Sequence, residues 1–390
     1  MFLVCESIAW GMEHTPFNAA LLRTINFAFP KDSICFYAED SHLKHVRGQI
    51  GEELGAFVVW RKLALPARHS SFYTRLLSDF KTVKFLLNEL NENPQKDVLV
   101  ITGKASILWA LKYYTGTIHK DKRIQVIIHG DFSTLHRTPR KSILNPFYYI
   151  GCLKTALKIS GYERLQYIVL EEVVREAILK KMPFLSNNVM VLDHPIPVDK
   201  QHVEINNFHQ PIHFGYLGRA SEKKGFSDYL TVASEISKRY HGQAKFHFIG
   251  TVSDKMRHAN HSKMAFLSGT AGAEEMSRSE YVNRLKNLHF VCLFHNKYYE
   301  SCASGVLMDS IAWEKPIVAT QLPIFGTLQK GFGDIGYLCR KNEFSDTIGS
   351  IIRENDSERY KRQAENMSRV KATRTPEALA RKYLELVNYL

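Results

Sequence analysis

The sequence predicts an α/β protein of two Rossmann-like, doubly wound domains with a cleft between them. Three observations carry this. Short apolar runs alternate with longer amphipathic ones, the alternation stops at a proline-bearing stretch near the middle, and it then begins again. The length of 390 residues suits two domains of the usual ~100–200 residues.

In the first half, Phe2–Val4, Ser33–Tyr37, Ala56–Val59, Val98–Ile101, Gln125–Ile128, Tyr167–Leu170 and Val189–Leu192 are expected to be strands. They are rich in Val, Ile and Phe and lack strict alternation, as parallel strands covered on both faces should. Helices are expected over Phe17–Phe27, which follows Pro16, over Phe72–Leu90 and over 172–181. In Phe72–Leu90 the apolar residues Leu76, Leu77, Phe80, Val83, Leu86, Leu87 and Leu90 fall at helical spacing. Residues 193–211 hold three prolines and no helical period, and read as a linker.

In the second half, Ile212–Tyr216, Lys245–Ile249, Met264–Leu267, Phe290–Phe294 and Pro316–Thr320 are expected strands. Phe226–Tyr240, Ser279–Lys286 and Gly305–Trp313 are expected helices. The domain boundaries follow: 1–198, 199–372, and a terminal helix over 373–390 expected to pack back toward the first domain.

Several classes are set aside by composition. The six cysteines include no C-x-x-C pair, so neither a zinc framework nor a dithiol motif is indicated. No run of ~18 apolar residues occurs, and Glu6 interrupts the N-terminal apolar residues before a signal-peptide core forms. A cytoplasmic protein is expected. The net charge of +13 is uneven: residues 101–160 hold ten Lys/Arg and only Asp121 and Asp131 as acids. Such a surface calls for an anionic partner.

The chemistry concentrates in the second half. The strand at Ile212–Tyr216 runs into Gly218 and Arg219, followed by Lys224 and Gly225 where a helix begins. Arg offers a fork of donors and Lys a point charge, suited to a diphosphate beyond the carboxyl end of a strand. A solvated loop with ordinary surface cations is the other reading. After Phe290–Phe294 come Glu300, then Ser304-Gly305-Val306, then Asp309. A tight turn at a helix N-terminus favours phosphate. The two carboxylates suit sugar and ribose hydroxyls rather than the phosphate.

Gly218-Arg219, Lys224-Gly225, the acids Glu300 and Asp309, and Pro316 through Thr320 together resemble the nucleotide-sugar half of the GT-B glycosyltransferases. The resemblance is to the large retaining family that includes phosphatidylinositol mannosyltransferases and sucrose-synthase-like enzymes. Its pattern is G-R-x4-K-G, E-x7-E and P-V-V-A. Here the second acid is Asp309, nine positions after Glu300 rather than eight.

The resemblance implies a metal-independent enzyme that takes a sugar from a nucleoside-diphosphate-sugar with retention. It places Arg219 and Lys224 on the diphosphate, Glu300 on the sugar and Asp309 on the ribose. Gly250 and Thr251 are candidates for the base. In the first domain it implies a Gly11 loop facing the donor phosphate and His129 contacting the transferred sugar. A lone His at a strand end is also compatible with a structural role. No cofactor is expected beyond the donor itself, and the chain has no D-x-D triplet.

Residues 137–158 mix cations with aromatics, which fits docking on an anionic membrane surface. A solvated cationic helix that packs its aromatics inward fits as well. The expected partners are a nucleotide sugar and a lipid-linked or saccharide acceptor, in surface polysaccharide, lipopolysaccharide or glycolipid synthesis. Enzyme location is then cytoplasmic, or peripheral on the inner membrane face. Other readings are a nucleotide-sugar epimerase of similar fold, an inactive sugar-binding subunit, and a basic nucleic-acid-binding protein. The last has no recognition motif to support it.

Overall fold

The computed structural model describes residues 2–388 apart from 69, 93–96, 118–123, 130–146, 160–164, 198–203, 269–275, 301 and 303. The chain divides into two compact units. The first contains Met1–Val198 and Arg374–Leu390, the second Asp199–Glu300 and Ser304–Thr373.

The first unit is built on seven parallel strands: β1 Phe2–Cys5, β2 Ile34–Ala38, β3 Val58–Lys62, β4 Asp97–Val100, β5 Ile124–Ile128, β6 Leu165–Val169 and β7 Val189–Val191. Their order is β3-β2-β1-β4-β5-β6-β7. Alternate residues of one strand feed two different cores. Leu3, Cys5, Val98 and Val100 join the cluster beneath the helices Phe72–Glu92 and Ala105–Thr117. Phe2, Val4, Leu99 and Ile101 join the cluster under Thr15–Ala28. Burial on both faces is why these runs are continuously apolar. The helix Thr15–Ala28 starts with Pro16 in its first turn, where a missing N–H costs nothing.

The terminal helix Pro376–Asn388 packs on Thr15–Ala28 and adds Leu379, Ala380 and Tyr383 to that core. Polar ties fix it: Tyr383 donates to Gln125 Oε1 at 2.7 Å, and Arg374 forms a two-pronged pair with buried Glu171 at 2.6 and 2.9 Å.

The second unit has five parallel strands: β8 Ile212–Leu217, β9 Ala244–Ile249, β10 Phe290–Leu293, β11 Ile317–Thr320 and β12 Gly336–Cys339, in the order β12-β11-β10-β8-β9. The chain steps from β8 outward to β9, then returns to the other side of β8 for β10. The β8/β10 junction is therefore the topological switch point, where open α/β sheets bind ligands. Phe214 and Tyr216 face an aromatic core with Phe226, Tyr229 and Phe246.

One expected strand is a correction. Met264–Leu267 is not a strand: His261–Met264 is a helix, and only Leu267 makes an isolated bridge, to Phe246. The local bonds Met264 N–H to Asn260 and Leu267 N–H to Met264 close successive turns there, so the backbone is satisfied without a ladder. A four-residue apolar run does not distinguish the two outcomes.

No helix among the described residues is long and apolar enough to cross a membrane. Of the basic stretch 137–158, residues up to 146 lie outside the described residues. The described remainder forms the helices Phe147–Ile150 and Leu153–Lys158, with Leu153, Ala156 and Leu157 buried and Lys158 exposed.

Candidate active site

The loop after β8 is held from three sides. Gly218 adopts φ +79°, and its N–H donates to Ile249 at 2.8 Å. Ala220 N–H donates to the Thr251 carbonyl at 2.8 Å. Gly250 packs so closely under Gly218 that no side chain fits between them. Gly250 and Thr251 thus brace the loop through their backbones. At the far end, Gly225 has φ +71°, and a Cβ there would fall 2.0 Å from the Phe294 carbonyl oxygen at the end of β10. Asn296 N–H donates to the Lys223 carbonyl at 3.0 Å, tying the loop after β10 to the loop after β8. Both follow strands that flank the switch point.

Three side chains here carry charge without a partner among the described residues. Arg219 is exposed. Lys224 is half-buried, its ammonium 3.6 Å from where a Cβ on Gly218 would stand. Desolvation lowers the Lys224 pKa, nearby Arg219 lowers it further, and Asp309 opposes both. Glu300 is exposed at the end of the turn Lys297–Tyr299. Val306 Cγ2 lies 3.4 Å from the same Gly218 Cβ position, so the start of the helix Gly305–Ala312 abuts the loop. That helix has Ser304 at its N-cap, no side chain capping it and no acid in its first turn. Among the described residues no side chain caps its leading N–H groups, and these with the positive end of its dipole suit an anion.

Asp309 differs from the other three. It is largely buried, and its carboxylate accepts from Arg278 Nη1 at 2.8 Å and from the Tyr281 hydroxyl at 2.9 Å. The sequence reading missed both partners. They lie about thirty positions away on another helix, and no local spacing signals such a pair.

The first unit places Gly11 and His129 in a polar network at the carboxyl ends of β1, β4 and β5. Gly11, at φ +53°, donates its N–H to Ser41 Oγ at 3.2 Å, and its carbonyl pairs with His42 Nδ1 at 2.8 Å. Buried Glu6 accepts from the N–H groups of Ile8 and Ala9, from Asn18 and from the Thr102 hydroxyl at 2.8 Å. Thr102 spends its only proton on Glu6, so it accepts from His129 Nε2 at 3.1 Å. The lone pair of His129 is then on Nδ1. Its ring packs against His14 and Phe17 at 4.7 and 5.0 Å. Desolvation, with His14, His194 and Lys104 nearby, holds its pKa well below the ordinary value, so the imidazole is neutral at pH 7. Glu6, Thr102 and His42 were also missed from sequence, because each acts through the fold rather than through a motif.

Among the described residues no group of three or more His, Cys, Asp or Glu could hold a metal ion.

Solved structures with the same arrangement span the whole chain. HepE from Anabaena, in complex with UDP and glucose, aligns with TM-score 0.67 at 12% identity over 100% of both chains. Sucrose-phosphate synthase from Thermosynechococcus elongatus aligns with TM-score 0.66 at 10% identity over 100% of this chain and 98% of that one. The fold is GT-B. The lipopolysaccharide outer core galactosyltransferase WaaB shares it, with TM-score 0.63 at 12% identity over 99% of each chain. No protein-family model matches the sequence, and no curated protein matches it. In GT-B terms, Arg219, Lys224, Glu300 and the helical Asp309 belong to the second Rossmann unit, and Gly11 and His129 to the first.

Proposed function

We propose that this protein is a glycosyltransferase that moves a sugar from a nucleoside-diphosphate-sugar to an acceptor. One observation carries the reading: Lys224 Nζ and Val306, at the start of a helix with no side-chain cap, both lie within 3.6 Å of the Cβ position of Gly218, next to Arg219, at the switch point of the second sheet. A lysine ammonium over a glycine, an arginine beside it and a helix N-terminus close by suit a diphosphate. The co-occurrence of this loop with a GT-B fold supports a nucleotide-sugar as the molecule bearing it.

In the reaction, the glycosidic bond breaks and negative charge grows on the leaving diphosphate. Arg219, Lys224 and the helix N-terminus stabilise that charge electrostatically. With this charge complement the reaction proceeds without a divalent metal. Glu300 orients hydroxyls of the transferred sugar, and Asp309 takes the ribose. Neutral His129 accepts a hydrogen bond from a sugar hydroxyl through its Nδ1 lone pair, and the braced Gly11 loop shapes the donor phosphate's surroundings. The acceptor attacks from the face the diphosphate leaves, and the departing phosphate takes the acceptor proton, so configuration is retained. The acceptor is a saccharide or lipid-linked glycan, with the basic segment 137–158 docking on anionic lipid.

Assignment of the product anomer by NMR tests the stereochemistry; an inverted product removes the front-face mechanism. Turnover unchanged by a chelator is expected. Sedimentation with anionic and neutral liposomes tests the membrane arm, which is excluded if neither brings the protein down.

A further inference from the structure

We propose that Arg278 and Tyr281 are positioning residues that aim Asp309 at the vicinal diol of a ribose, and so set a preference for ribonucleotides over 2′-deoxyribonucleotides. This rests on the reading of the second unit as a nucleotide-sugar site.

The helix Arg278–Lys286 is started by Ser277, whose hydroxyl accepts from Glu280 N–H at 3.2 Å. Arg278 and Tyr281 lie one turn apart on it, with the guanidinium 5.2 Å from the ring centroid. From there they reach different oxygens of one carboxylate. Arg278 Nη1 is 2.8 Å from Asp309 Oδ1, and the Tyr281 hydroxyl is 2.9 Å from Oδ2. An ionised carboxylate accepts about four hydrogen bonds, two per oxygen. These contacts use one on each oxygen and leave one on each. The remaining pair matches two neighbouring hydroxyls donating side by side, as a ribose 2′,3′-diol does, and a 2′-deoxyribose fills only half of it.

Two further facts fit. Asp309 is within electrostatic reach of Lys224, which places it beside the proposed diphosphate loop. A bare carboxylate there would repel the diphosphate, and Arg278 offsets that charge. Burial, reinforced by Asp309, raises the Tyr281 pKa well above the ordinary value, so its hydroxyl keeps its proton and donates. The shorter Asp, held by two donors, stands where the family pattern has a Glu.

The test is equilibrium binding of UDP, GDP and ADP, of their 2′-deoxy counterparts, and of inorganic pyrophosphate. Wild type, Tyr281→Phe, Arg278→Met and Arg278→Lys are compared. Wild type is expected to favour one ribonucleotide over its deoxy form by about tenfold or more. That ratio should collapse toward one in Tyr281→Phe and Arg278→Met and return partly in Arg278→Lys, with pyrophosphate binding retained. A ratio kept in the variants overturns the proposal. So does equal loss of nucleotide and pyrophosphate binding, which marks a structural role only. Nucleotide binding by wild type without a ribose preference overturns this inference and leaves the site intact. No nucleoside diphosphate binding by wild type overturns the site itself and this inference with it.

Discussion

Gly250 lies directly beneath Gly218: a Cβ on Gly250 would fall 1.9 Å from the Gly218 carbonyl oxygen. Backbone cannot rotate away as a side chain end can, so Gly250→Ala must displace the loop that carries Arg219 and Lys224. Overpacking of this kind costs about 1–3 kcal/mol. Urea unfolding should show that loss, and nucleotide binding should weaken with it. Gly326→Ala is the control. Gly326 is exposed in the helix Pro323–Phe332 with open space around it, so the change should stabilise by roughly 0.5–1 kcal/mol. Equal effects of the two substitutions would contradict the account of the loop.

Lys224 and Arg219 carry no ion pair or side-chain hydrogen bond among the described residues, so removing either should hurt binding far more than folding. Lys224→Met also relieves a desolvated ammonium, whose pKa burial already lowers. Its apo melting temperature should match or exceed wild type. Affinity for nucleoside diphosphates should fall by about ten- to hundredfold. Calorimetric titration beside a thermal melt checks both halves.

Asp79 gives a pH signature. It is buried on Phe72–Glu92, with Oδ2 unpartnered and the Ser106 side chain bonded to it. Burial raises its pKa from 3.8 to about 6. The folded state therefore binds the proton more tightly than the unfolded state. The stabilising contribution is full below pH 3.8 and is lost as pH rises through about 6. Asp79→Asn removes the penalty of the buried charge. It should stabilise the protein at pH 8 by up to about 3 kcal/mol, and have little effect near pH 4. A stabilisation larger at pH 4 than at pH 8 would reverse the sign and refute this reading.

The Glu171–Arg374 pair joins the loop after β6 to the start of the C-terminal segment, with both side chains buried. Arg374→Met leaves Glu171 without its cation in a low-dielectric site. A loss of about 3–5 kcal/mol is expected in denaturant unfolding. Glu171→Gln with Arg374→Met should recover part of it, since no charge is then buried.

The strands of both sheets were legible because burial on two faces leaves continuous apolar runs, as in Val98–Ile101 and Phe290–Phe294. The glycine loop with Arg219 and Lys224, and separately the helix start at Ser304–Val306, were legible because in each a strand end, a turn and a helix start follow one another in sequence; that Val306 lies against Gly218 is a product of the fold. The helix at His261–Met264 was not, since four residues carry no period. Nor were Arg278 and Tyr281. Their link to Asp309 joins two helices about thirty positions apart in sequence, which meet only in the folded second unit.

The most direct measurement is a thermal-shift screen of UDP-, GDP-, ADP- and dTDP-sugars against wild type and Arg219→Ala. Ligand bound at a hundred times its dissociation constant stabilises the native state by about 2.7 kcal/mol, a shift of a few degrees. The account predicts that shift with at least one nucleotide sugar for wild type, and none for Arg219→Ala at unchanged apo melting temperature. No shift with any donor, or an equal shift in Arg219→Ala, would contradict it.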